Sequence, residues 1–382
     1  MKFLSEEQKM IVDICRQIVN ERILPVRAEL DVSGEFPTDI VKEIAQSDLF
    51  RLFVPEEYEG MGNGIYDACL ATEELSRGDL SVATTYAASG LGLIPIIIAG
   101  SEDQKKKYLP SLASGDKLAA FGLTEPEAGS DVSNIQTKAV SEGDNYILNG
   151  AKQWITNGGE ADIYTIFATT DPSRGARGIS VFIVEKGMDG FEFGKKEDKL
   201  GIRASATREL IFTDCKVPKE NLLGREGSGF LTAMKTFDQS RPAVGAQAVG
   251  VAQSALEEAL EYSKVRKQFG NTIASFQAVQ HMLADMSTKV EAARSLVYYS
   301  AKVVDSGDKQ GSRLSAMAKL FASDVAMEVT TDAVQILGGY GYMKDYPVEK
   351  MMRDAKITQI YEGTNQIQKG IIALDLIKKG FV

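Results

Sequence analysis

Few side chains in this sequence are equipped for chemistry of their own. Histidine occurs once, at His281, which provides no Ser–His–Asp triad, no His-rich metal site and no His proton relay. It sits in Gln280-His281-Met282-Leu283, a helical stretch where it reads as a packing or surface residue. Cys15, Cys69 and Cys215 are widely spaced with no C-x-x-C, so neither a zinc site nor a disulfide framework is indicated, and the pattern fits a reducing cytoplasm. Carboxylates, backbone amides and a borrowed cofactor remain. The carboxylate with the most suggestive setting is Glu362, in Ile360-Tyr361-Glu362-Gly363-Thr364-Asn365-Gln366. It follows an apolar stretch and precedes Gly and Thr, so it either lies on the surface or sits at a helix-breaking turn facing a cavity. In a dry cavity its pKa would rise and it would become a useful base.

Three further segments could hold a ligand. Phe121 to Asp131 (FGLTEPEAGSD) is either a polar loop entering a strand or a turn whose Thr124, Ser130 and amides face an anion or heterocycle. Trp154, the only tryptophan, is either core packing or a flat face for a cofactor beside Thr156 and the Asn157-Gly158 turn. Arg266-Lys267-Gln268-Phe269-Gly270 and Gln335-Ile336-Leu337-Gly338-Gly339 either just end helices or clasp a diphosphate. No G-x-x-x-x-G-K-[ST] and no G-x-G-x-x-G after a strand occurs, so P-loop and Rossmann readings fail.

The 382 residues suffice for two or three domains with a sizeable core. Hydrophobic residues make up 44% and charged residues 25%, an ordinary globular balance. With 43 Lys+Arg against 53 Asp+Glu the formal charge is −10, which argues against general nucleic-acid binding while leaving Arg241 and Arg266 as local charge for phosphates. The start, MKFLSEEQKM, resembles neither a signal nor a transit peptide. The longest apolar stretch, Leu91 to Ala99, is interrupted by Pro95, so no membrane insertion is expected.

Residues 1–120 read as helices. Ser5-x-x-Gln8 and Ser101-x-x-Gln104 are capping boxes, Thr38 is an expected N-cap, and a helix is expected over 65–77. Residues 121–231 carry short β-rich runs at 146–148, 163–169, 179–184 and 210–212, with Asn149-Gly150 and Asn157-Gly158-Gly159 as turns. That pattern suggests a small β-barrel or sandwich. From 232 to 382 helical periodicity returns over 246–265, 276–303, 313–337 and from 366 onward, which suggests a four-helix bundle. The expected fold is a multidomain α+β protein: N-terminal helical domain, middle β-domain, C-terminal four-helix bundle.

Seven segments in order resemble the acyl-CoA dehydrogenase family, in its short/medium-chain or butyryl-CoA-type members: Leu123–Asp131, Trp154–Gly158, Lys216-Val217-Pro218, Phe237–Pro242, Arg266–Gly270, Gln335–Gly339 and Tyr361–Gln368. They span essentially the whole chain, and the family's α–β–α architecture agrees with the order read from periodicity. The resemblance implies an FAD-dependent oxidation of the α,β bond of an acyl-CoA, giving the 2-enoyl-CoA. Glu362 would remove the α-proton while the β-hydride passes to flavin N5. Some relatives place the base at the position of Ser240, and serine cannot serve. The Glu362 N–H and a flavin ribityl hydroxyl would polarise the thioester carbonyl.

By the same resemblance Phe121, Leu123, Thr124, Trp154 and Thr156 meet the isoalloxazine, and Ser130 lies near a pyrophosphate of flavin or substrate. Arg266, Gln268, Phe269, Gln335, Gly338 and Gly339 reach the FAD of a neighbouring subunit, with Thr364 and Gln366 completing the clasp. Phe237, Asp238 and Arg241 match substrate-binding positions, while Tyr361, Gly363 and the stretch Tyr86–Gly92 flank the acyl tail. Glu127 departs from the Gly or Asn of many relatives. A homotetramer (a dimer of dimers), an electron-transferring flavoprotein as acceptor and a cytoplasmic location are implied. Short, medium, branched and alicyclic acyl-CoAs stay open. So do the reverse reaction, enoyl-CoA reduction, and a catalytically silent flavoprotein or assembly factor on the same scaffold.

Overall fold

The computed structural model describes residues 4–380. Helices come first: α1 (Glu6–Ile18), α2 (Arg27–Ser33), α3 (Thr38–Gln46), α4 (Gly64–Gly78), α5 (Leu80–Ala99) and α6 (Glu102–Ala113). Both capping boxes form: Ser5 accepts from Gln8 N–H, Ser101 accepts from Gln104 N–H, and each Gln reaches back to the cap N–H. Thr38 is not the N-cap. Pro37 precedes the first helical residue, and no side chain caps that end.

Eight strands follow: β1 (Ala119–Gly122), β2 (Lys138–Glu142), β3 (Asn145–Thr156), β4 (Ile163–Thr169), β5 (Ile179–Glu185), β6 (Phe191–Lys196), β7 (Thr207–Pro218) and β8 (Leu222–Leu223). They form one sheet in the order β6-β7-β3-β2-β4-β5-β8, with β1 parallel to β4. Asn149-Gly150 is not a turn. It lies inside β3, where the register with β7 slips between Leu148 and Gly150, so the positive φ of Gly150 serves a bulge rather than a hairpin. Two short strands, β9 (Lys267–Gln268) and β10 (Asn271–Thr272), pair in a separate ribbon.

The remaining helices are α7 (Gly229–Val265), α8 (Gln277–Asp305), α9 (Gly311–Leu337), α10 (Val348–Ala355) and α11 (Asn365–Lys379). Helix α7 begins well before the expected position 246, and the Phe237–Pro242 segment is helical within it, Pro242 included. His281 is exposed on α8.

Strand β4 is buried along its whole length, and successive side chains enter different cores because β residues alternate faces. Tyr164, Ile166 and Ala168 join one cluster with α1 and α3, while Ile163 and Phe167 join another with α6 and the end of α5. A third cluster fills the space among α7, α8 and α9. Helix α5 contributes to all three, through Val82 and Tyr86, Leu93 and Ile96, and Leu80. That explains why it is apolar all round, as a buried helix is. By length and composition it is also long enough to cross a membrane, and Pro95 does not interrupt it, but most of it is buried inside the protein.

Candidate functional site

Two adjoining hollows open where α5, the β1–β2 loop, β3, α7 and the 361–364 turn converge. The inner one, about 390 Å³, is lined by Thr84, Ala87, Ala88 and Leu91 from α5, by Phe230, Met234, Phe237 and Arg241 from α7, and by Ile367 and Ile371 from α11. The outer one, about 610 Å³, is lined by Glu197–Ile202, Arg353, Lys356, Ile360 and Thr364. Thr124, Ser130, Trp154, Thr156, Tyr361, Glu362 and Gly363 border both.

The loop that carries Thr124 and Ser130 is fixed from beneath. Glu125 accepts from Gln136 N–H at 2.5 Å and Thr137 N–H at 3.0 Å. It also takes Lys152 Nζ at 2.6 Å, and that ammonium reaches the Leu123 carbonyl as well. Burial pushes the Lys152 ammonium down to about 8, with Glu125 opposing. Burial alone would raise Glu125, but Lys152 and the Gln136 N–H outweigh it and hold the carboxyl below its ordinary value. Strand β3 then slips register between Lys152 and Ile155, with Trp154 at φ +56°. The bulge turns the indole outward, and it is 58% exposed. Of the two readings of this tryptophan, core packing is therefore excluded. Asn157, at φ +62°, donates to the Thr85 and Ala119 carbonyls and to Ser89 Oγ, locking the turn onto α5 and β1.

Glu362 itself stands at φ +52° and Gly363 at +92°. Left-handed backbone at a non-glycine residue costs of order 1–3 kcal/mol and persists only where its surroundings over-determine it. Here they do. The Glu362 carbonyl accepts from Arg241 Nε at 3.4 Å and Gln368 Nε2 at 3.2 Å. The Gly363 carbonyl accepts from Gln368 and from Lys319 Nζ, both at 2.9 Å. Lys319 also meets Asn365 Oδ1, and Thr364 caps α11. The Glu362 carboxylate accepts a short hydrogen bond from Ser240 Oγ. Burial raises its pKa, with Ser240, Arg241 and Lys319 in opposition. The Lys319 ammonium is itself pushed down to about 7 by burial, against Glu362. Among the described residues the Glu362 N–H donates to no acceptor. A desolvated carboxylate thus lies beside an available amide donor on the same residue.

The expected site residues divide. Phe121, Leu123, Thr124, Ser130, Trp154, Thr156, Phe237, Arg241, Tyr361, Glu362 and Gly363 line the inner hollow, and Thr364 the outer one. Arg266, Gln268, Gly338 and Gly339 lie instead around a separate hollow. Arg266 is stacked on Tyr340 at 5.2 Å, and Phe269 is 92% exposed. Gln335 and Gln366 are exposed on α9 and α11. Asp238 lines neither of the two adjoining hollows; its carboxylate takes Ser312 Oγ at 2.8 Å. Arg241 is 4% exposed and committed to Asp238 and the Glu362 carbonyl, so it does not offer its charge to a phosphate at the surface. In the stretch Tyr86–Gly92 only Ala87, Ala88 and Leu91 line the hollow. Tyr86 points the other way and donates to the Leu49 carbonyl. Helical spacing from Thr84 separates those faces. Ser240, Gln247, Lys319 and Gln368 were not singled out as binding groups. Lys319, a cation within the otherwise uncharged run from Leu314 to Ser323, carries the clearest signal.

Such a site suits a class of enzyme that takes a proton with a carboxylate and passes the electron pair to a flat redox cofactor, for which the exposed Trp154 indole offers a face. FAD fits the outer hollow. The exposed indole offers a face, and Thr124, Ser130, Thr156 and loop amides offer an edge of donors.

Family comparisons make this specific. Models of the N-terminal, middle and C-terminal domains of acyl-CoA dehydrogenase match residues 5–116, 120–215 and 227–377. The chain belongs to the acyl-CoA dehydrogenase family of FAD-dependent oxidoreductases. It is 49% identical to the probable acyl-CoA dehydrogenase FadE25 of Mycobacterium tuberculosis, over 98% of this chain and 96% of that one. It is also 49% identical to the short-chain-specific acyl-CoA dehydrogenase of Clostridium acetobutylicum, over 97% and 98%. Among solved structures, butyryl-CoA dehydrogenase from Megasphaera elsdenii superposes with a TM-score of 0.96 at 47% identity, covering 98% and 99%. A chain from "Electron transferring flavoprotein of Acidaminococcus fermentans: towards a mechanism of flavin-based electron bifurcation" gives 0.97 at 52%, covering 99% and 100%. An acyl-CoA dehydrogenase complexed with FAD from Bacillus anthracis gives 0.91 at 37%, covering 99% and 68%.

Proposed function

We propose that this enzyme dehydrogenates a short-chain acyl-CoA to its 2-enoyl-CoA, with Glu362 as the base. The observation that carries this is the Glu362 turn: a desolvated carboxylate of raised pKa and an N–H that donates to no acceptor among the described residues, on one residue at the wall shared by both hollows. An α-proton next to a thioester is weakly acidic, so its removal needs a donor at the carbonyl oxygen. The Glu362 N–H supplies one, and Glu362 Oε takes the proton. FAD, when bound in the outer hollow, supplies the acceptor for the β-hydride. Phe121, Phe237 and Leu123 keep water from the reacting carbons, and Ser240, Arg241 and Lys319 keep the base aimed.

Chain length is read from the inner hollow. The Tyr361 hydroxyl donates to Gln247 Oε1 at 2.6 Å, a bridge between α7 and the catalytic turn with Thr84 on the same wall. A long acyl tail would have to break that bond and leave buried polar atoms unpaired. The short-chain and butyryl-CoA names of two relatives support the same reading. Electrons leave to an electron-transferring flavoprotein, a partner supported by the likeness to the Acidaminococcus chain. The separate hollow at Arg266, Gln268 and Gly338, beside the exposed Phe269, completes the FAD site of a second subunit in a homotetramer.

The test is a series of straight-chain acyl-CoAs from four to twelve carbons, mixed anaerobically with the yellow enzyme. Bleaching of the flavin should be fastest at four to six carbons. Gln247→Leu should shift the optimum to longer tails. A wild-type optimum at ten or more carbons defeats the short-chain assignment.

A further inference from the structure

Beneath the outer hollow lies a set of buried charges that the chemistry above does not use. Four distant parts of the chain meet there, around Asp31, Asp79, Leu200–Ile202 and Lys350–Asp354. Ile202 is a β-branched residue at φ +45°, in the region such residues avoid. Its N–H donates to Asp354 Oδ1 at 2.6 Å. A Cβ on the preceding Gly201 would lie 2.6 Å from the Arg353 backbone, so the segment is pressed onto α10 as closely as glycine allows. Arg353 donates to the Leu200 carbonyl at 3.0 Å and to Asp31 at 2.7 and 3.1 Å. Asp354 Oδ2 takes Lys350 Nζ at 2.5 Å, and the same ammonium meets Asp79 Oδ2 at 2.7 Å. Asp79 in turn caps α5 through the Ser81 N–H. Asp31, Asp79, Lys350 and Asp354 are all buried. Burial works against the Lys350 charge, but Asp354 and Asp79 override it and hold the ammonium protonated.

Residues Glu197–Ile202 line the outer hollow, as Trp154 does. A rivet between domains needs no strained residue. Strain that persists beside a ligand hollow is characteristic of a clamp. We propose that Asp354 is a positioning residue for FAD. It holds the Gly201–Ile202 segment in its left-handed conformation so that the segment presents a fixed wall to the cofactor. Lys350 and Asp79 keep that carboxylate aimed and tie the wall to α5, which lines the acyl hollow. The inference rests on reading the outer hollow as the flavin site.

The test is the rate at which FAD leaves purified holoenzyme, followed by the fluorescence of released flavin, in a double-mutant cycle. Asp354→Ala should speed release by about tenfold or more, the range of coupled contacts. Ile202→Gly adopts the same backbone without strain, so in that background Asp354→Ala should change release by about twofold or less. A structural role without positioning predicts equal effects in both backgrounds, and that result overturns the proposal. If Asp354→Ala does not yield folded holoenzyme, Asp354→Asn, which keeps the shape, is carried through the same cycle with the same criterion. Trp154→Ala separates the two levels. If it leaves FAD release unchanged, the outer hollow is not the flavin site and both readings fall. If it speeds release while the cycle is additive, only the role of Asp354 falls.

Discussion

Replacing Ser240 by alanine removes the hydroxyl that donates to the Glu362 carboxylate and leaves the rest of the turn in place. A hydrogen bond to a carboxylate favours its charged form, so its loss raises the pKa of a group that burial has already raised. Such bonds to charged partners contribute about 1.5–3 kcal/mol, and one pKa unit corresponds to about 1.36 kcal/mol. The pKa of Glu362 should therefore climb by about one to two units. The base works deprotonated, so the acid limb of kcat/KM, which reports the free enzyme, should move to higher pH by the same amount. Well above that limb the variant should retain a rate within a few-fold of wild type, because the more basic carboxylate is also the better proton acceptor. Stopped-flow flavin reduction by a short acyl-CoA across the pH range reads both quantities. A limb that stays in place, or one that moves to lower pH, would refute the assignment of Glu362 as a desolvated base tuned by Ser240.

Other outcomes follow from the same geometry. Lys319→Met unbonds the Gly363 carbonyl and Asn365 Oδ1 and removes a cation that favours the Glu362 carboxylate. It should lower kcat by about tenfold or more with a smaller change in KM, in steady-state assays. Lys152→Met leaves Glu125 buried without its cation, which should cost about 3–5 kcal/mol of stability in denaturant unfolding, with Lys152→Met/Glu125→Leu recovering part of it. Phe269→Asp puts a charge on a side chain that is 92% exposed in the single chain. Light scattering should show smaller assemblies, and the protein should purify with less FAD; an unchanged assembly would remove Phe269 from the subunit contact.

Local signals read well from the sequence. The two capping boxes and the run 163–169 appear where capping side chains and a β-rich apolar run place them. Glu362 stood out by its motif, yet its environment did not, because Ser240, Lys319 and Gln368 come from α7, α9 and α11 and meet only in three dimensions. The outward Trp154 depends on a register slip against β7, which no feature of Lys152–Ile155 alone announces. Asn149-Gly150 carries turn chemistry but is consumed by a bulge, since a long β3 paired with β7 satisfies more backbone than a hairpin would. Thr38 has a capping side chain, but the chain enters α3 through Pro37, so its hydroxyl falls one residue inside the helix. The apolar run of α5 looks interrupted at Pro95 when read linearly. Burial on every side lets the helix continue.

The central claim is that one carboxylate, Glu362, performs the proton abstraction. Anaerobic mixing of butyryl-CoA with the FAD-loaded enzyme and with its Glu362→Gln variant tests it most directly. Wild type should bleach, while the variant should stay yellow with full FAD content and bleach about 10²–10⁴-fold more slowly, the usual contribution of a general base. A Glu362→Gln enzyme that bleaches as fast as wild type would contradict the account.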